Sequence, residues 1–526
     1  MKPSFRELLQ NPHSPFPIGA EIVTSRGIPL ESNCPPLRLA AELVKDDRTA
    51  WISITDNPGG NPMLPPDWLA GQLAKFSQNI VLHLACKDLN RIGLESQLWR
   101  YAAEGFENVL ALSGDLPLGG YPKPARGVFD MDSVALLEMI RSMNRGLVVP
   151  GRGGKLETLL PTNFFSGCAV TPFKKNENEL VPQYYKLVRK IRSGAAWLLP
   201  QLGYDMRKFH EIKRFLNLQN VSIPIIGNVY VLTKTVAKIF NSGKLAGCVV
   251  TDKFLAEIEK YAAGTDKGKQ YFRELAAKQL AVFHGLGFAA GYIGGLAAPE
   301  SFFEILEIAK QFSQDDWKTF YKEIQHPQPD EFYFFEHDCY NCASSERDAV
   351  VHHDLDKRNR TRNVNFFYRF SRCVHALAFH RDHAFYPLIK RVFQFLDKEN
   401  SFCRFGRNAI HRIEEASKHI LYGCQDCGDC ALPDTAYLCL CSRCSKNMRN
   451  GPCGGSFQKQ CEAGDKECIW TIAYDRMKYF GEWSEFLDAP VSIYDASLKS
   501  TSSWRNLYLD RDHSAENERD NWDSHH

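Results

Sequence analysis

The chain has 526 residues, of which 44% are hydrophobic and 24% charged, with a formal net charge of +2. That length exceeds one ordinary domain, and the composition is that of a globular protein rather than a disordered or fibrous one. A charge this near zero gives no bulk reason to expect nucleic acid or an anionic membrane as partner, and local clusters such as Lys357–Arg362 read as solvated surface. The opening Met1–Phe16 is polar and proline-rich, with no secretory leader, and no apolar run of 18 or more residues follows, so the chain is expected in the cytoplasm without a membrane partner.

Residues 1–315 alternate short β-rich runs with longer amphipathic ones. Periodicity predicts strands at Ile18–Val23, Ala50–Thr55, Ile80–Leu84, Val109–Leu112, Thr162–Ser166, Ala195–Leu199, Ile223–Val229 and Ala289–Gly294. Helices fit between and after them at Pro36–Lys45, Pro66–Ser77, Asp88–Ala103, Asp132–Met143, Val181–Ser193, Met206–Leu216, Lys234–Asn241, Tyr271–Leu286 and Glu300–Phe312. Eight strand-then-helix units with near-continuous apolar strands predict an α/β fold, a (β/α)8 TIM barrel. An open doubly wound sheet is the alternative, but no Gly-x-Gly-x-x-Gly follows the first strand. Gly151-Arg-Gly-Gly-Lys155 lacks Walker spacing and reads as a loop. Barrel active sites lie at the C-terminal ends of the strands, where Glu21, Thr55, Asp56, His83, Ser113, Gly114, Asp115 and Gln201 all fall.

Residues 316–423 read as a connection. Asp315–Asp330 is polar with Pro327 and Pro329, a linker signature, and helical spacing follows at Phe366–Leu377, His383–Leu396 and Arg407–Ile420. Cys339-x2-Cys342 is read as a non-ligand pair. Residues 424–485 hold nine of the 17 cysteines: Cys424-x2-Cys427-x2-Cys430-x8-Cys439-x-Cys441-x2-Cys444-x8-Cys453-x7-Cys461-x6-Cys468. Thiols two residues apart converge on one metal centre. A reducing compartment disfavours disulfides and leaves metal or redox ligation. The Cys-x2-Cys-x2-Cys start resembles the opening of 4Fe–4S runs, whereas zinc favours separated Cys-x2-Cys knuckles; from spacing alone both metals stay open. The tail, 486–526, is polar and aperiodic from Ser497, and is expected to be disordered or to wrap a neighbouring surface.

Two resemblances sharpen this reading. Gly19-Ala-Glu21-Ile, Trp51-Ile-Ser-Ile-Thr55-Asp56, Leu82-His83-Leu-Ala-Cys86, Val109-Leu-Ala-Leu-Ser-Gly-Asp-Leu-Pro117 and Lys190-Ile-Arg-Ser-Gly194 through Gln201 resemble the methylenetetrahydrofolate reductase barrel. Cys424–Cys430 with Asn450-Gly-Pro-Cys-Gly-Gly455 and Cys468-Ile-Trp470 resembles the cysteine-rich C-terminal module found with some of those enzymes. The resemblance implies a flavoenzyme reducing methylene- to methyl-tetrahydrofolate, with FAD favoured over FMN. It makes Glu21 the general acid, Asp115 a second catalytic group that also binds substrate, and Gln201 the pterin ligand. Thr55, His83, Ser113, Gly114, Asp115 and Lys190 would hold the flavin. Two departures stand out: Ile22-Val-Thr24 follows Glu21 in place of aromatic and proline residues, and Ser113 occupies a position where relatives often carry arginine. In the module, the resemblance assigns Cys424, Cys427, Cys430, Cys439, Cys444, Cys453, Cys461 and Cys468 as ligands of two 4Fe–4S clusters, leaving Cys441 spare. Implied partners are tetrahydrofolate and either NAD(P)H or a ferredoxin-like electron protein, with homo-oligomers left open. The rival readings are a folate-dependent methyltransferase or demethylase with a structural zinc module, and a non-catalytic redox docking platform.

Overall fold

Eight parallel strands, Ile18–Ile22, Ile52–Ile54, Ile80–Ala85, Asn108–Leu112, Phe165–Val170, Trp197–Pro200, Ile226–Tyr230 and Ala290–Gly294, follow one another around a barrel in the computed structural model. The structure describes residues 3–11, 15–27, 34–77, 79–245, 247–336, 350–358, 360–487 and 489–515. The first strand pairs with both the second and the eighth, Ala20 lying opposite Ile52 on one side and Ile293 on the other. The sixth and seventh meet through a single bridge, Leu198 to Ile225, where the Leu198 N–H donates to the Pro224 carbonyl at 2.9 Å. The sheet is therefore nearly closed, with strands covered on both faces as parallel pairing requires.

The floor of the barrel explains two of its glycines. Phe5, on a short capped helix (Phe5–Gln10), packs edge-on against Trp51 and Trp197 with ring centroids 5.2 and 5.4 Å away. A Cβ on Gly19 would come within 2.1 Å of the Trp51 ring, and one on Gly167 within 2.2 Å of Trp197. The glycine of the Gly19-Ala-Glu21 motif thus makes room for an indole two residues below the site.

Differences from the sequence reading have local causes. The fifth strand begins at Phe165 rather than Thr162, because the Thr162 hydroxyl and the Phe164 N–H both bond the Asn144 amide oxygen, at 2.7 and 2.8 Å, and hold a turn there. A helix at Asp252–Ala262 was not anticipated; only Phe254 and Ile258 of its charged sequence are buried. Within the expected linker, Asp316–Glu323 is helical, since Trp317 packs on Gly285 and Tyr321 is buried.

Beyond the barrel, helices Phe366–Ala378, Tyr386–Leu396 and Ser401–Tyr422 lead into the cysteine segment, which has a small core of its own around Tyr368, Leu438, Met448 and Trp470. The tail through residue 515 wraps this region. Asn506 donates to the Gly428 carbonyl at 2.9 Å, and His513 bonds Asp429 and, at 2.8 Å, Asp434. Residues 516–526 and the Cys339/Cys342 pair lie outside the described residues.

Barrel and module share a polar seam. Asp132 caps the helix Ser133–Arg145, accepts from Lys186 at 3.0 Å, and takes both the backbone and the side-chain amide of Asn450, at 3.2 and 3.1 Å. Lys186 continues to the Gly451 carbonyl at 2.9 Å, and Arg189 reaches the Asn450 side chain at 3.1 Å. The start of the Asn450-Gly-Pro-Cys motif is thereby a docking clasp.

Candidate functional site: barrel rim and thiol sets

Glu21 is the fourth residue of the first strand, its side chain directed inside the barrel. Its carboxylate accepts from the Tyr292 hydroxyl at 3.0 Å, and Gly294 lies so close that a Cβ there would sit 2.9 Å from Glu21 Oε1. Burial raises the Glu21 pKa, with the Tyr292 bond pulling the other way. Tyr292 also bonds Ser53, and Ser53 meets His83 Nε2 at 2.9 Å. A chain of polar side chains, Glu21–Tyr292–Ser53–His83, thus crosses four strands inside the barrel. Burial drives His83 down to about 4, so its imidazole is neutral near pH 7. Sequence reasoning missed Ser53 and Tyr292. Their signal was a polar group at an inward position of an otherwise apolar strand.

The other predicted residues fall into two groups. Thr55, Gly114, Asp115 and Gln201 stand on or beside the rim. The Asp115 carboxylate accepts the Gly59 N–H at 2.9 Å, and a Cβ on Gly60 would overlap the Leu116 carbonyl, so the loops after the second and fourth strands interlock. The Gln201 amide oxygen accepts the Leu202 N–H at 3.0 Å, and the side chain borders Gly247. His83, Ser113 and Lys190 bond groups of the barrel wall. Ser113 shares bonds with Ser133, the hydroxyls 3.1 Å apart, and Lys190 donates to the Ala169 carbonyl at 2.7 Å. Burial and neighbouring Lys186 lower Lys190 to about 8. Asp56, on the same rim, accepts the Ala85 N–H at 2.9 Å and is raised to about 6 by burial.

The nine cysteines separate into two sets. Cys424 lies beside Cys430 and Cys439, while Cys427 and Cys439 both bond the Cys441 thiol. That bond lowers Cys427 to about 7 and Cys439 to about 5, and Cys441 is driven up in return. In the second set Cys444 lies beside Cys453 and Cys461, and Cys468 beside Cys453 and Cys444; burial pushes Cys444 up to about 11 and Cys468 higher still. Backbone N–H groups point at the sulfurs, Asp426 to Cys424 at 3.4 Å, Met448 to Cys444 at 3.5 Å and Gly455 to Cys453 at 3.3 Å. Among the described residues, no three of these sulfurs lie within 4.8 Å of one another.

Two buried lysines join the second set to the rim. Lys446 pairs with Glu462 at 2.6 Å, lies beside Cys453, and donates to the Gly114 carbonyl at 2.8 Å. Lys174, beyond the fifth strand, donates to the carbonyls of Gly454, at 2.6 Å, and Ser456.

Two family models match the chain. The family model described as Methylenetetrahydrofolate reductase matches residues 34–287, and that described as Methylene-tetrahydrofolate reductase C terminal matches residues 406–497. No curated protein sequence matches the chain. Among solved structures, an uncharacterized protein from Clostridium thermocellum that binds two copies of 5-methyl-5,6,7,8-tetrahydrofolic acid is 10% identical, covering 58% of this chain and 97% of its own, with a TM-score of 0.41. A thermostable aldo-keto reductase, Tm1743, is 13% identical over 58% of this chain and 94% of its own, with a TM-score of 0.34. At such scores these two likenesses carry nothing about the site. The family models together span about two thirds of the sequence and meet both the barrel and the thiol module. The chain belongs to the methylenetetrahydrofolate reductase family and carries that family's C-terminal module.

Proposed function

We propose that the protein interconverts methylene- and methyl-tetrahydrofolate on a flavin at the barrel rim, with electrons relayed through two 4Fe–4S clusters, one in each thiol set. The observation that carries this reading is Lys446, which ties the second set to the Gly114–Asp115 loop.

The thiol count supports the reading: four cysteines from each set supply the eight ligands that two 4Fe–4S clusters require. The N–H groups aimed at sulfur are of the kind that tune cluster potentials. Four of the first set's five thiols suffice; by the resemblance these are Cys424, Cys427, Cys430 and Cys439, with Cys441 a hydrogen-bonding neighbour. We expect Cys441→Ser to retain about eight irons per chain and Cys453→Ser to fall to about four, read by metal analysis of anaerobic protein; equal losses would reverse the assignment.

For the flavin the fit is narrower than the family pattern. Thr55, Gly114 and Asp115 stand on the rim, where they would hold it, while His83, Ser113 and Lys190 bond other groups of the barrel wall. A bound flavin supplies hydride transfer, and the protein orients it. Opening the folate methylene bridge needs a proton on the departing amine. Buried Glu21, its pKa raised by burial, is suited to hold that proton and give it up. Gln201 offers an amide to the pterin edge. Tyr292 positions Glu21 and, by donating to its carboxylate, favours the ionised form. Removing that bond raises the Glu21 pKa further, so in Tyr292→Phe the alkaline limb of the folate-reduction pH profile should move to higher pH. An unmoved limb would separate Tyr292 from the acid.

A further inference from the structure

Outside the rim, the structure holds a cavity of about 210 Å³ between the helices Phe366–Ala378 and Ser401–Tyr422 and the short tail helix Ser503–Tyr508. Its walls are apolar, with Phe370, Val374, Leu421 and Trp504 among them. Cys430 of the first thiol set forms part of its lining, together with Lys418, which bonds that sulfur at 3.7 Å. Polar residues also line it, among them His375, Tyr437, Ser371 and Asp512, and the rings of His375 and Tyr437 touch edge-on with centroids 5.6 Å apart. Tyr437 is held there by an uncommon backbone: Ala436 and Tyr437 both sit in the left-handed region, at φ 49° and 63°. Neither is glycine, so the turn costs free energy of the kind usually retained at functional sites. The Ala436 carbonyl is pinned by Arg476 at 2.7 Å.

The surroundings of the cavity are also unusual. Of 26 large apolar side chains exposed among the described residues, 13 lie between Phe366 and Leu421. Phe366, Phe370, Val374 and Leu377 follow helical spacing and form one exposed stripe beside the cavity. Isolated apolar side chains on a surface need no explanation, but a concentration of this size marks a binding region. A mostly apolar slot with hydrogen-bonding side chains on its wall, bordered by a ligand thiol, suits a flat aromatic ring bearing carbonyl oxygens and poorly soluble in water.

We propose that this cavity binds a quinone-class electron carrier, which exchanges electrons with the centre held by the Cys430 set. The electron step, though not the binding, rests on the relay reading above. The quinone takes up two electrons and two protons and becomes the hydroquinone. The electrons reach it singly through the first thiol set, and the protons come from water at the cavity mouth. Oxidation of methyl- to methylene-tetrahydrofolate releases two electrons and two protons, so the sum is methyl-tetrahydrofolate plus quinone giving methylene-tetrahydrofolate plus hydroquinone. His375 and Tyr437, both in the lining, can each donate a hydrogen bond to a carbonyl oxygen.

The test uses menadione, a small naphthoquinone, titrated calorimetrically into the full-length protein purified without oxygen. One site per chain is expected. Val374→Phe, which fills the cavity, should weaken binding at least tenfold, and Tyr437→Phe, which removes only a hydroxyl, about threefold to tenfold. Menadione added to dithionite-reduced protein should restore the oxidised visible spectrum, more slowly in Val374→Phe. Absence of saturable binding, or binding indifferent to both substitutions, would overturn the site. A colourless zinc protein that still bound menadione in a Val374-dependent way would overturn the relay and the electron exchange while upholding the binding site.

Discussion

Glu21→Gln is expected to lower methylene-tetrahydrofolate reduction by about 10²–10⁴-fold, the usual cost of losing a general acid. Glutamine keeps the size and can still accept from Tyr292, so the barrel and its rim should be undisturbed. Flavin content and the rate of flavin reduction by an artificial donor should therefore stay unchanged, which separates loss of the acid from loss of the fold. A Gln variant of full activity would remove Glu21 from the mechanism.

The second large effect is structural. Lys186 and Asp132 form an ion pair at 3.0 Å with side chains only 1% exposed, and the pair anchors the module to the barrel through Asn450 and Gly451. Lys186→Met would leave the Asp132 charge buried with only neutral hydrogen-bond partners. Removing one member of such a pair typically costs about 3–5 kcal/mol, because the remaining ion has lost its compensation without regaining water. Denaturant unfolding should show that loss, and the module should become protease-sensitive before the barrel does. A destabilisation under about 1 kcal/mol would mean that the Asn450 amide, the helix N-terminus and the nearby Lys190 charge together neutralise Asp132.

The barrel was legible in the sequence because its strands carry a strong, repeated signal: short apolar runs, each followed by an amphipathic stretch. Where that signal was diluted the reading slipped, as at Asp252–Ala262, whose helix buries only two apolar side chains, and at Thr162, where one asparagine side chain delays the strand. Glu21, Asp115 and Gln201 are proposed from strand-end position combined with family likeness. Lys190 and Ser113 show the limit of that method: sequence position does not reveal whether a polar group faces the rim or bonds a neighbour in the wall. The partition of the cysteines was beyond spacing altogether. It depends on how Lys446, Lys174 and the tail fold the segment, and those contacts span hundreds of residues. The cavity beside Cys430 was equally hidden, since its walls come from two helices and the tail.

The relay through two iron–sulfur clusters to a rim flavin is tested most directly by metal and flavin analysis, with the visible spectrum, on protein purified without exposure to oxygen. The account predicts about eight irons and one flavin per chain, with flavin bands over a broad iron–sulfur absorption that bleaches on reduction. Two zincs per chain, no iron and a spectrum without the broad absorption would contradict it and leave the cysteine module a structural clip.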